Sequence, residues 1–145
     1  IIQQRSRDNG RTPMQWDGTT HAGFTTGTPW IGVVDNYPAI NAAAQVDDPD
    51  SVYSYYKKLV ALRKQHRVIS EGQIEFLYKD DPDLLAYRRW DGDSQLLVLC
   101  NLTGHEAPVQ LPAQWQDAGV LLGNYPDAAP AAALRPYEAL VLSLD

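Results

Sequence analysis

The feature that most limits what this chain can fold into is a single change of hydrophobic period. Val52, Tyr55, Tyr56, Leu59, Val60 and Leu62 recur at spacings of three and four, the signature of one apolar helix face. Asp50 or Ser51 can cap the first free N–H groups. The acidic run Asp47-Asp48-Pro49-Asp50 suits the positive end of the helix dipole. Lys57, Lys58, Arg63, Lys64 and His66 load the second half with positive charge, as a helix C-terminus favours. These signals predict a helix over 50–66 with a solvated basic face, preceded by a short helix through Ala39 to Val46.

After His66 the pattern becomes that of strands. Gln73–Tyr78, Leu84–Trp90, Gln95–Asn101, Ala107–Leu111, Val120–Leu122 and Tyr137–Leu144 are short runs rich in Leu, Val, Tyr and Ile. Asp81-Pro82, Asp91-Gly92-Asp93, Thr103-Gly104 and Leu111-Pro112 separate them as turns. Asp91-Gly92 is a strong hairpin signal, because glycine accepts the positive φ such turns need. The expectation is an α+β chain: helices first, then a small antiparallel sandwich or barrel, with the boundary between 1–71 and 72–145.

Residues 1–37 show neither period and are dense in Gly, Thr, Pro, Asn and Trp. Irregular chain of that length is functional or packs against something else. Thr28-Pro29-Trp30 and Asn36-Tyr37-Pro38 read as turns. Trp16, Phe24, Trp30 and Tyr37 sit here among polar residues, as lids over a core or walls of a sugar site.

Charge and cysteine usage exclude several classes. A net charge of −6 with pI near 4.9 concentrates no Lys and Arg against a polyanion, so no nucleic-acid partner is expected. Arg5, Arg7 and Arg11 form the one early basic cluster, and Asp8 inside it points to internal pairing. The single cysteine, Cys100, excludes an internal disulfide and reads as a small buried residue in an apolar run. His21, His66 and His105 have no ligand spacing, so neither metal nor cofactor is assigned. No membrane span or leader is read, and the start at Ile1-Ile2-Gln3-Gln4 suits a domain cut from a longer cytoplasmic protein.

The chemistry-bearing segment is Arg7-Asp8-Asn9-Gly10-Arg11-Thr12-Pro13-Met14-Gln15-Trp16-Asp17, followed by Ala22-Gly23-Phe24-Thr25. Guanidinium donors, a carboxylate and amides beside an indole are the groups that grip sugar hydroxyls. The bland alternative is a surface loop pinned by an Arg7–Asp8 or Arg11–Asp17 pair. The segment resembles the Arg-Asp-Asn-small-Arg-Thr-Pro-Met-Gln-Trp stretch of the oligo-1,6-glucosidase and α-glucosidase branch of glycoside hydrolase family 13. Asn36-Tyr37 with Ile40-Asn41, Ser51-Val52-Tyr53, Tyr55-Tyr56-Lys57-Lys58-Leu59 and Leu62-Arg63-Lys64 resemble that branch's last barrel helices. Leu134-Arg135-Pro136-Tyr137-Glu138-Ala139 resembles the last strand of its C-terminal β domain.

The resemblance implies the last loop and helices of a (β/α)8 barrel over 1–71, followed by an antiparallel β-sandwich over 72–145. The family hydrolyses α-glucosidic bonds with retention, through an Asp nucleophile and a Glu general acid/base on one bound sugar. Its catalytic residues precede the Arg-Asp-Asn segment, so none is expected here, and the chain alone should be inactive. Asp8 and Asp17 are not read as a replacement acid pair. Arg11 resembles the family arginine that helps hold the non-reducing glucose; Arg7 and Asp8 brace the loop. Gly10 stands where Ala or Ser is common and makes the turn more permissive. The implied parent is an exo-acting α-glucosidase of α-1,6-linked gluco-oligosaccharides, with a trehalose-6-phosphate hydrolase as the alternative. Its expected partners are the rest of the barrel and an α-glucoside substrate, with no membrane partner.

Trp16 and Trp30 are expected to pack rather than to platform sugar, and Glu71, Glu75, Glu106 and Glu138 to be solvated, or Glu138 paired with Arg135. A different class stays open. Residues 72–145 are a structural cap, or a carbohydrate-binding module built on Tyr78, Tyr87, Trp90 and Trp115. A helix face left without its barrel is expected to pack on the β domain or to self-associate.

Overall fold

Local hydrogen bonding accounts for where two helix caps fall, at Asn41 and Ser51. The structure, a computed structural model, describes residues 7–144, with the side chains of Arg7 and Asn9 outside that description. The chain divides into two compact units between Val60 and Ala61.

The first unit is mostly irregular, with 3-10 turns at Arg7–Gly10 and Thr20–Gly23. Helix α1 spans Ala42–Val46 and starts later than the 39–46 expected. The N–H groups of Ala39 and Ile40 both turn back to Asn36 O, at 3.0 and 2.9 Å. Asn41, in extended conformation, then takes the cap position, its side chain accepting from Ala44 N. Helix α2 runs Val52–Gln65, close to the 50–66 expected. Of the two candidate caps Ser51 serves: its hydroxyl accepts from Ser54 N at 3.1 Å. Asp50 N is engaged by the Asp48 carboxylate instead. No residue of α2 is buried, and Val52 is 79% exposed.

His66 interrupts the helix with extended φ/ψ of −112° and 100°, and α3 follows as Arg67–Glu71. In the second unit α3 lies against the sheet strands that follow, with Val68 buried. Arg89 donates to Val68 O at 3.0 Å and to Gly72 O at 2.7 Å, satisfying carbonyls that the helix end leaves open. A side chain at Gly72 would run into the Val68 carbonyl oxygen.

The strands are β1 (Gln73–Leu77), β2 (Leu84–Asp91), β3 (Ser94–Asn101), β4 (Ala107–Pro108), β5 (Gly119–Gly123), β6 (Ala133–Leu134) and β7 (Ala139–Leu144). They form an antiparallel sheet ordered β1-β2-β3-β7-β5 and a two-stranded sheet β4-β6. Asp91 pairs with Ser94 across a two-residue turn in which Gly92 has φ +59°, as the hairpin signal requires. Leu84, Ala86, Leu97, Leu99, Leu140 and Leu142 alternate onto one buried face. Ala107 and Leu134 from the smaller sheet close over it, with Val109 just beyond β4 and Trp115 and Ala118 from the connection. This is the expected antiparallel sandwich.

Three strands are shorter than expected, and β6 lies outside the expected runs; β1 stops before Tyr78, which sits at φ +50°. Beyond Pro108 the run to Leu111 leaves the ladder because the Tyr78 hydroxyl takes both backbone groups of Gln110, at 3.0 and 2.8 Å. Tyr137 sits at φ +54° and so cannot belong to β7. The outer face of the large sheet carries Ile74, Phe76 and Leu85 exposed. Cys100 is half-buried there, and burial pushes its thiol up. Among the described residues no helix is long and apolar enough to cross a membrane.

Candidate functional site

The Arg11 loop is built as a series of turns. Arg11 N donates to Asp8 O at 2.9 Å, closing the 3-10 turn that begins the segment. The Arg11 side chain is exposed and makes no hydrogen bond or ion pair among the described residues. Asp8 is exposed; the expected bracing partner, the Arg7 side chain, lies outside the described residues. The alternative Arg11–Asp17 pair does not form. Asp17 Oδ1 instead accepts from Thr19 N at 2.8 Å and Thr19 Oγ1 at 2.5 Å. Those donors hold its carboxyl below the usual range.

Downstream the loop is tied down firmly. Pro13 is buried. Gln15 Nε2 donates to Asn36 Oδ1 at 3.0 Å and to Ile40 O at 2.5 Å. Gln15 O and Trp16 O accept from Ala42 N and Ala43 N, each at 2.9 Å. With Asn41 capping Ala44, the first three N–H groups of α1 are satisfied by the loop and its cap. Trp16 N and Asp17 N both donate to Ala22 O, at 2.9 and 3.2 Å. Ala22 is fully buried, and His21 and Ala22 both adopt left-handed conformation, near φ 55–58°. Two such non-glycine residues cost about 1–2 kcal/mol each, so the surrounding bonds over-determine this bend. Gly23 follows at φ +64° with the Asp17 carboxylate where a side chain would stand. An open groove of about 330 Å³ runs beside the loop, lined by Met14, Ile40, Gln45 and Tyr53 among others, but not by Arg11.

Trp16 and Trp30 do not pack within this chain as expected: they are 53% and 89% exposed. Trp30 follows Pro29 in a turn, and no described element covers it.

In the second unit, Glu138 is a correction to the expectation of a solvated group. It is 3% exposed and clamped by Arg135: Oε1 accepts from Nη2 at 2.6 Å, and Oε2 from Nε at 3.1 Å and the backbone N at 2.8 Å. Arg135 also reaches Asp127 at 2.7 Å and stacks 3.9 Å from the Tyr125 ring centre. Hydrogen bonds from Arg135 hold the Glu138 carboxyl below its ordinary range against its burial. This is a loop lock, with the carboxylate turned inward. Glu71 and Glu75 are exposed and paired with Arg67 and Arg88, at 2.7 and 3.0 Å; Glu106 is exposed.

The four aromatics considered as a sugar platform do not form one. Trp115 is core, 1% exposed. Tyr78 is pinned through its hydroxyl, Trp90 lies under Arg88 at 4.7 Å, and Tyr87 tilts against Phe76 at 5.9 Å. Among the described residues no three His, Cys, Asp or Glu side chains gather as a metal cluster. Gln15 and Asn36 were not singled out from sequence. Their contacts join positions 21 and 25 residues apart, and no local pattern encodes that.

Comparison with known proteins adds the following. Residues 1–72 match the family model "Alpha amylase, catalytic domain", and residues 74–140 match "Maltogenic Amylase, C-terminal domain". A trehalose-6-phosphate hydrolase of Bacillus subtilis is 46% identical over 99% of this chain and 27% of its own length. An oligo-1,6-glucosidase of Heyndrickxia coagulans is 42% identical over 99% of this chain and 26% of its own. The crystal structure of Bacillus licheniformis trehalose-6-phosphate hydrolase superposes with a TM-score of 0.90 at 43% identity, over 98% of this chain and 27% of that one. The trehalulose synthase of Pseudomonas mesoacidophila MX-45 does so with a TM-score of 0.89 at 38% identity, over 95% and 26%. The chain thus spans about a quarter of the length of the relatives it matches.

Proposed function

Because the chain belongs to the α-amylase family of glycoside hydrolases, spanning the end of the catalytic barrel and a C-terminal β domain, we propose that it is the C-terminal region of an exo-acting retaining α-glucosidase. The substrates are α-1,6-linked gluco-oligosaccharides, cut from their non-reducing ends. The observation that carries this reading is Arg11: a guanidinium without a partner among the described residues, on a loop tied down on both sides of it. A planar donor held ready in this way suits bidentate hydrogen bonding to sugar hydroxyls. Arg7 and Asp8 brace that loop.

The nucleophile and the general acid/base come from the rest of the barrel. Asp17 is already engaged by Thr19, so Asp8 and Asp17 are not read as a replacement acid pair. Residues 1–71 complete the barrel and 72–145 form the β domain. In support, β1 begins at Gln73, and one family model ends at 72 where the next begins at 74. Compact-unit division falls earlier, inside α2, which is consistent with α3 being held to β2 by Arg89. The β domain is a structural cap rather than a sugar-binding module. Its lone, half-buried cysteine suits a reducing compartment, the cytoplasm.

A second reading, a trehalose-6-phosphate hydrolase, is favoured by the 46% identity to the Bacillus subtilis enzyme. Against the 42% of an oligo-1,6-glucosidase the difference is small. Phosphate recognition would depend on basic groups elsewhere in the barrel. Glucose release by the full-length enzyme from isomaltose and from trehalose 6-phosphate, side by side, separates the two. Turnover of isomaltose alone supports the first reading; turnover of the phosphorylated disaccharide alone overturns it in favour of the second.

A further inference from the structure

A guanidinium that contacts sugar is placed by its backbone when its own side chain has no internal partner, and Arg11 has none among the described residues. Its loop is fixed at two points. Upstream, Arg11 N closes on Asp8 O. Downstream, only Thr12, Pro13 and Met14 separate it from Gln15; Pro13 is buried and its ring fixes φ. Gln15 is therefore the near anchor.

The Gln15 amide joins three segments. Nε2 donates to the Asn36 side chain and to the Ile40 carbonyl, while the backbone carbonyl of Gln15 receives the first N–H of α1. Both side-chain partners are acceptor oxygens, so the amide nitrogen with its two hydrogens satisfies both. A carboxylate would set oxygen against oxygen, and a thioether would donate to neither. Loss of these bonds would free the loop at the residue nearest Arg11 on that side. Displacements of about 1 Å in a substrate-holding group cost large factors in rate.

We propose that Gln15 is a positioning residue for Arg11, holding its guanidinium in the pose that grips the glucose ring without itself touching substrate. The proposal rests on the reading of Arg11 as a glucose contact, and its test separates the two. Gln15→Met, Arg11→Ala and the double variant are made in the full-length enzyme and assayed for kcat/KM on 4-nitrophenyl α-D-glucoside. Arg11→Ala is expected to lose roughly a hundredfold and Gln15→Met roughly tenfold, with the double variant within about twofold of Arg11→Ala alone. Asn36→Ala, which removes one acceptor at an exposed position, is expected to reproduce part of the Gln15→Met loss. It serves as the test should Gln15→Met fail to fold, again by its coupling to Arg11→Ala. A double variant that loses the product of the two single losses overturns the positioning role, because Gln15 then acts independently of Arg11. Unchanged kcat/KM in Gln15→Met and Asn36→Ala, with Arg11→Ala impaired, also overturns it. Unchanged kcat/KM in Arg11→Ala itself overturns the reading of Arg11 and this inference with it.

Discussion

Glu138 shows how much a single side chain's surroundings decide its role. On a strand edge it reads as a solvated acid. In the fold, its neighbour Tyr137 at φ +54° turns the chain, and the carboxylate goes inward onto Arg135. Removing one partner of a buried pair leaves the other charge uncompensated, so Glu138→Ala is expected to destabilise the β domain by about 3 kcal/mol, read by thermal or urea unfolding. The pH dependence follows from the depressed carboxyl. Glu138 contributes its stabilisation above the ordinary glutamate range, and this is lost as pH falls through the lower folded value. The wild-type melting temperature should therefore fall more steeply in acid than that of Glu138→Gln. Parallel curves would remove Glu138 from the account. Arg135 beside Glu138 could be read from sequence as a local pair; its burial could not, because burial comes from the packing of distant strands.

At the scale of elements, the change of period was enough to order helices before strands, and the Asp91-Gly92 hairpin emerged where its turn chemistry puts it. The start of the long helix was legible from its local cap, whereas that of α1, capped by Asn41, was not. Ser51 starts α2, and Ser51→Ala should cost about 1 kcal/mol of stability, measured by the same unfolding curves. No effect would mean that tertiary contacts hold the helix start. Boundaries were not legible where a remote group intervenes. The Tyr78 hydroxyl ends the Ala107 run from 32 residues away, and no period reveals it. Trp115 was considered as a surface aromatic, yet its 3-10 turn carries it into the core. Trp115→Ala should destabilise by about 3–5 kcal/mol, through lost burial and the cavity left behind.

For the molecule as a whole, exposed apolar surface is the dominant observation. No residue of α2 is buried, and Ile74, Phe76 and Leu85 face outward on the large sheet. Surfaces of that kind belong against a partner, in keeping with a chain spanning about a quarter of its relatives' length. Expressed alone, the 145-residue chain should self-associate, as read by size-exclusion with light scattering; a strict monomer at high concentration would count against this. The family was legible in the Arg7–Asp17 segment because its spacing is specific. How Gln15 is held was not, because its partners Asn36 and Ile40 lie 21 and 25 residues further along the chain.

In the reading proposed above, this chain is part of an α-glucosidase, with a sugar contact at Arg11 and the reacting carboxylates supplied from elsewhere in the barrel. The measurement that tests it most directly is glucoside hydrolysis by the isolated 145-residue chain beside the full-length enzyme, both on 4-nitrophenyl α-D-glucoside. The account predicts turnover by the full-length enzyme and none above buffer by the chain. Turnover by the chain alone would mean that a carboxylate pair within it performs the chemistry, and would contradict the account.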